Sequence, residues 1–92
     1  MNNEHKLKKI IKYVVGVDIN EPKRTRHNSI AKKIFVFICY NELQTPYTHI
    51  AKMINRSNSL IHIYKRQFLD IEYDKQLKNY YNQCLNKYYE CR

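Results

Sequence analysis

Apolar residues recur along this chain at intervals of three and four, and no stretch alternates apolar and polar with period two for long enough to argue for a sheet. Leu7, Ile10, Ile11, Val14 and Val15 form one such stripe, which predicts an amphipathic helix from Asn3 to about Val15 with Lys6, Lys8, Lys9 and Lys12 facing out or flanking the seam. Gly16, the only glycine, stops it. Val17 to Arg26, with Pro22 inside, reads as a loop that turns basic over residues 22–28, at Lys23-Arg24-Thr25-Arg26. Asn28 or Ser29 then caps a helix running to about Leu43. It is apolar over most of its circumference, at Ile30, Ala31, Ile34, Phe35, Val36, Phe37, Ile38, Cys39 and Tyr40, which makes it the central core helix. After a break at Asp70 to Asp74, a last helix is expected over about 73–90, where Tyr73, Leu77, Tyr80, Tyr81, Cys84, Leu85 and Tyr88 share the helical period. The expected architecture is all-α, a single domain over 1–92 of five to six helices.

Between the core helix and the tail, Tyr47 to Tyr64 has the spacing of two short helices crossing steeply around a tight turn, a helix-turn-helix over about 46–69. Thr45 and Pro46 read as an N-cap followed by proline at the first helical position. Ala51 is small enough to let the second helix approach, and Asn55 sits where the chain reverses and a left-handed backbone is tolerated. Ile50, Ile54, Ile61 and Tyr64 supply the apolar contacts. Ser57 or Asn58 caps the second helix, which runs to about Leu69. Between the apolar positions, Ser57, Asn58, Ser59, His62 and Lys65 point outward. Short polar groups and a cation are the side-chain types that reach base edges and phosphates in a major groove.

Charge sharpens this picture. The 92 residues hold 17 Lys and Arg against 8 Asp and Glu, a formal net charge of +9, which points to a polyanionic partner. Between Lys23 and Leu69 nine cations face one acid, Glu42, whereas from Asp70 to Arg92 four cations face four acids. The excess lies where the helix-turn-helix is.

The stretch Arg24-Thr-Arg-His-Asn-Ser-Ile-Ala-Lys-Lys-Ile-Phe-Val-Phe-Ile, followed by Ile50-Ala51 and Arg56-Ser57-Asn58-Ser59, resembles the C-terminal double-stranded-DNA-binding domain of the bacterial replication initiator DnaA, within the Trp-repressor-like group. The likeness runs from about Leu7 to Leu85 in the order helix, basic loop, long buried helix, helix-turn-helix, tail helix. In that family the recognition helix opens with an Arg-Asp-His-Thr-Thr signature that reads bases, while arginines of the basic loop reach the adjacent minor groove. By position, the resemblance implies the first role for Arg56, Ser57, Asn58 and Ser59, and the second for Arg24 and Arg26. The family's Asp, His and second Thr stand here as Ser57, Asn58 and Leu60, and the turn is one residue shorter. The initiator's ATPase module needs several glycines in a phosphate-binding loop, which Gly16 alone does not supply. The chain therefore reads as the DNA-binding domain standing alone, a phage or mobile-element product acting in replication or transcription control.

Four expectations follow. The partner is double-stranded DNA, with Ser57, Asn58, Ser59 and His62 facing bases and Arg24, Arg26, Lys32, Thr48, Lys52, Arg56, Lys65 and Arg66 facing the backbone or minor groove. Tyr47 stands beside Thr48 as a further phosphate contact. No cofactor, metal, small-molecule substrate or enzymatic activity is expected, because His5, His27, His49 and His62 do not fall at metal-ligand spacing from cysteines and no carboxylate pair or nucleophile motif stands out. The start, Met-Asn-Asn-Glu-His-Lys, is unlike a secretory signal, no apolar run approaches a membrane span, and Cys39, Cys84 and Cys91 are an odd number, all of which suits a cytoplasmic protein with reduced thiols. The tyrosine-rich tail is a packing seam, closing on the domain's own core or on a second copy in a homodimer, in preference to a stacking platform for single strands or RNA. The main rival reading is a protein-interaction module of the same fold that engages a polymerase or replication protein.

Overall fold

The computed structural model describes residues 3–19 and 26–90. Within them the chain forms five α-helices and one short 3-10 turn, without a strand: α1 (Asn3–Val15), α2 (Arg26–Asn41), α3 (Tyr47–Ile54), α4 (Asn58–Phe68), the turn Ile71–Tyr73, and α5 (Lys75–Glu90). No helix among the described residues is long and apolar enough to cross a membrane.

Helix α2 organises the rest. Ten of its 16 residues are buried, and Ile34 to Cys39 form an unbroken buried run, so no single partner surface satisfies it. Helices α1, α3, α4 and α5 all pack on it, and α1 and α5 also pack on each other. An aromatic cluster joins three elements: the Phe37 ring lies 4.9 Å from that of Phe68 on α4 and 6.2 Å from that of Tyr81 on α5, and Phe68 and Tyr81 are 5.6 Å apart. Edge-to-face and tilted pairings at these separations add to the burial term itself.

Local signals set most helix ends. Gly16 adopts φ +89° and its N–H donates to the Lys12 carbonyl, ending α1 where expected. Asp74 opens α5, its Oδ1 accepting from the Leu77 N–H at 3.1 Å. From there Leu77, Tyr81, Cys84 and Tyr88 face inward, and this seam closes on the domain's own α1 and α2.

Tertiary contacts override the sequence signals in several places. Helix α2 starts at Arg26, ahead of the expected caps, because Asn28 shares the buried face of Ala31 and Phe35 and is itself buried; it lies inside the first turn and does not cap it. Thr45 is buried and donates to Glu4 Oε1 on α1 at 3.1 Å instead of capping α3, whose N-cap is Pro46. Ile19, placed in a connecting loop by the sequence, is 1% exposed and belongs to the core. Tyr73, assigned to the tail seam, sits in the 3-10 turn at 88% exposure, since the turn's tighter winding carries it off the face that Leu77 begins. Cys91 lies outside the described residues.

Cys39 and Cys84 are fully buried thiols without a disulfide partner. Burial pushes Cys84 up to about 12 from an ordinary value near 9, and raises Cys39 further. A folded-state value above the unfolded one means that this contribution to stability is fully present below about 9 and is lost as pH rises towards 12. Urea midpoints should hold to about pH 9 and then fall, and the fall should be shallower in Cys84→Ala. An equally steep fall in that variant would assign the alkaline loss to other groups.

Candidate nucleic-acid interface

Helices α3 and α4 meet in a helix-turn-helix whose inner side is apolar. Ile50, Ala51 and Ile54 from α3, with Ile61 and Tyr64 from α4, are buried. The reversal is made by Asn55 in the left-handed region (φ 56°, ψ 51°), followed by an Arg56 N–H that donates to the Ala51 carbonyl at 2.9 Å. Ser57 is the N-cap of α4, extended in backbone, with its Oγ accepting from the Leu60 N–H at 3.4 Å. Tyr64 is buried between α4 and α2, and burial raises its phenol, an effect opposed by the nearby Arg56 charge.

This anchoring decides what α4 presents. Because Ile61 and Tyr64 point inward, helical geometry turns Ser59, His62, Ile63 and Arg66 outward, with Asn58 at the N-terminal edge. Ser57, Asn58, Ser59 and His62 are all exposed, as are Thr48 and Lys52 on α3 and Lys65 and Arg66 on α4; His62, Lys65 and Arg66 line one depression, and Arg56 is half-buried beside the turn. No acidic residue occurs from Tyr47 through Leu69.

Several of these side chains have defined neighbours. The Tyr47 ring meets the edge of His62 at 4.5 Å between centroids, so the first residue of α3 orients a side chain on α4. Lys65 Nζ sits 4.3 Å from the centre of the Tyr40 ring and donates to its hydroxyl, which draws this cation towards the end of α2. The Arg56 guanidinium donates to the Asn55 carbonyl at 3.0 Å, across the reversal.

The expected backbone contacts need two corrections and one exclusion. Lys32 is only 5% exposed, because the enclosure of α2 leaves no solvent-facing side at that position, and it is not part of the surface. Arg26 lies in the first turn of α2 instead of in the loop, and α5 engages it: Nε donates to Gln76 Oε1 at 2.6 Å and Nη2 lies 3.2 Å from Asp74 Oδ1. Arg24 falls outside the described residues.

Three features were missed by the sequence reading. Ile63 is 51% exposed on the outer face of α4, and Leu69 is 79% exposed just past its end, where it lines a shallow depression with His62, Lys65 and Arg66. Lys8 on α1 donates to the Met53 carbonyl near the end of α3 at 3.4 Å, which ties one α1 cation to the helix-turn-helix; the same lysine lines a depression with His5, Lys9, Lys12 and the acid Asp18. No linear signal announces that last contact, since the α1 lysines look like an ordinary solvated flank. Among the described residues no group of three His, Cys, Asp or Glu could hold a metal ion.

No known family, curated protein or solved structure matches the chain.

Replacing Ser57 by Ala should cost about 1 kcal/mol, the usual value of a lost N-cap, and should speed hydrogen exchange at the Leu60 amide selectively. Unchanged exchange there would remove Ser57 from the capping role.

Proposed function

We propose that this chain binds double-stranded DNA, placing the outer face of α4 in the major groove, in the service of replication or transcription control. One observation carries the reading: the helix whose inner side is locked to the core presents Asn58, Ser59, His62 and Arg66 outward, on a segment without a single acid. Asn pairs with adenine edges, Ser and His hydrogen-bond base edges or phosphates, and N-terminal residues of a recognition helix lie deepest in the groove. Lys52, Arg56, Lys65 and Arg66 surround that face at positions suited to phosphates, with Thr48 at the start of α3 beside them. The resemblance of Arg56-Ser57-Asn58-Ser59 and the basic loop to the DNA-binding domain of the replication initiator supports the same docking, with Arg24 directed to the neighbouring minor groove. The role needs no cofactor and no catalytic group, and it fits a phage or mobile-element protein acting in the cytoplasm.

A second reading, a protein-interaction module that modulates a polymerase or replication protein, is favoured by the exposure of Leu69 and Tyr73 beyond the end of α4. Salt separates the two. Duplex binding through several phosphates should lose orders of magnitude in affinity from about 50 to 200 mM salt, with a slope of about −0.9 per phosphate contact, whereas an apolar protein interface should barely respond.

Substitutions give the finer test. Asn58→Ala should relax preference at particular base pairs, and Lys65→Ala should weaken all duplexes alike while lowering the salt slope by about one. If both variants bind every duplex as the parent does, α4 is not in the groove; if unpaired oligonucleotides outcompete duplex, the partner is a single strand.

A further inference from the structure

We propose that Ile63 reads the 5-methyl group of a thymine, so that a thymine at a fixed position is part of what the chain recognises; this rests on the duplex reading above. The position of Ile63 carries the argument more than its exposure does, since single apolar residues are common on protein surfaces. Ile61 and Tyr64, its near neighbours in the chain, are buried, and helical geometry sets Ile63 close to the opposite pole of α4. Ser59, one turn before, and Arg66 and Gln67, one turn after, are all exposed. Ile63 is therefore the lone apolar side chain in the middle of a face otherwise made of hydroxyl, amide, imidazole and guanidinium groups.

Every other member of that face has a polar partner waiting in a major groove, either a base edge or a phosphate oxygen. A branched hydrocarbon side chain has one: the thymine methyl is the only apolar group that the major-groove edges present. Against any other edge, Ile63 would strip water from a donor or acceptor and return no hydrogen bond, a net cost. Its β-branch also restricts χ1 to essentially one value in a helix, so its Cγ2 methyl stands in a fixed place, as discrimination by shape requires. Leu69, although more exposed, lies six residues further on, about 9 Å along the axis, at the end of the helix remote from base-reading positions.

The test begins with duplexes selected by the protein from a random pool. Each thymine of the selected site is then replaced in turn by deoxyuridine, which removes the 5-methyl group and leaves base pairing intact. For the parent protein, one position should lose about fourfold in affinity, the worth of one methyl group leaving an apolar contact. Ile63→Ala should bind the thymine duplex about fourfold or more weakly and show no further loss with uracil at that position, whereas Ile63→Val should keep the uracil sensitivity. Ala is the better helix former at an exposed site, so weaker binding will not reflect a melted α4, which circular dichroism and thermal midpoints check directly. Persistent duplex binding with no uracil effect anywhere, or the same uracil effect in Ile63→Ala, overturns the role of Ile63 and leaves the duplex reading standing. Failure to select any duplex overturns both.

Discussion

The need to enclose α2 governs the rest of the molecule. A helix apolar over most of its circumference is stable in water only when largely surrounded, and the described residues hold four other α-helices with which to do it. All four are used. Each spends one stripe on α2 and leaves the opposite stripe free, so the composition of those outer stripes decides what the domain offers to a partner. On α5 the outward positions are mostly amides, with three lysines and Glu90. On α4 they are polar and cationic around one isoleucine. The helix-turn-helix is thus a consequence of wrapping a core, and its rigidity comes from Ile50, Ile54, Ile61 and Tyr64 being gripped by that core.

Charge is segregated by the same arrangement. Two of the four tail acids, and Glu42 in the middle of the chain, are engaged locally: Asp74 with Arg26, Glu72 with Lys78, and Glu42 with the Tyr89 hydroxyl. Exposed pairs of this kind contribute at most about 1 kcal/mol each to stability. Their larger effect is on the field, because Asp74 and Glu72 pair with cations outside the helix-turn-helix and no acid falls within Tyr47 to Leu69. Surface potentials decay over about 10 Å at moderate salt, so this separation is what a polyanion would sense on approach. Lys8, drawn onto the end of α3, adds one cation beside the helix-turn-helix.

How much of this was legible in the sequence varies with how local the cause is. Gly16, Asn55, Ser57 and the period-3.6 stripes act through their own backbone, and the helices they bound fall where expected. The outward set of α4 was legible for the same reason, since fixing Ile61 and Tyr64 inside fixes its opposite face. The misses are tertiary in origin. Thr45 looks like a cap until Glu4, 41 positions earlier in the chain, takes its hydroxyl. Lys32 looks like a surface cation until α2 is enclosed, and Arg26, which stays exposed, looks unpaired until Asp74 and Gln76 arrive beside it. Ile63 was not singled out, because the outward set was drawn from polar and cationic side chains alone, although its register against Ile61 and Tyr64 puts it near the opposite pole.

The most direct measurement is an amide chemical-shift titration of the isotope-labelled protein with a duplex selected by the protein itself. The account predicts that the largest changes fall on Asn55 to Arg66, with the neighbouring lysines of α1 and α3 following and the middle of α5 unmoved. Changes concentrated instead around Tyr13 and Lys87, where α1 and α5 meet, would contradict it.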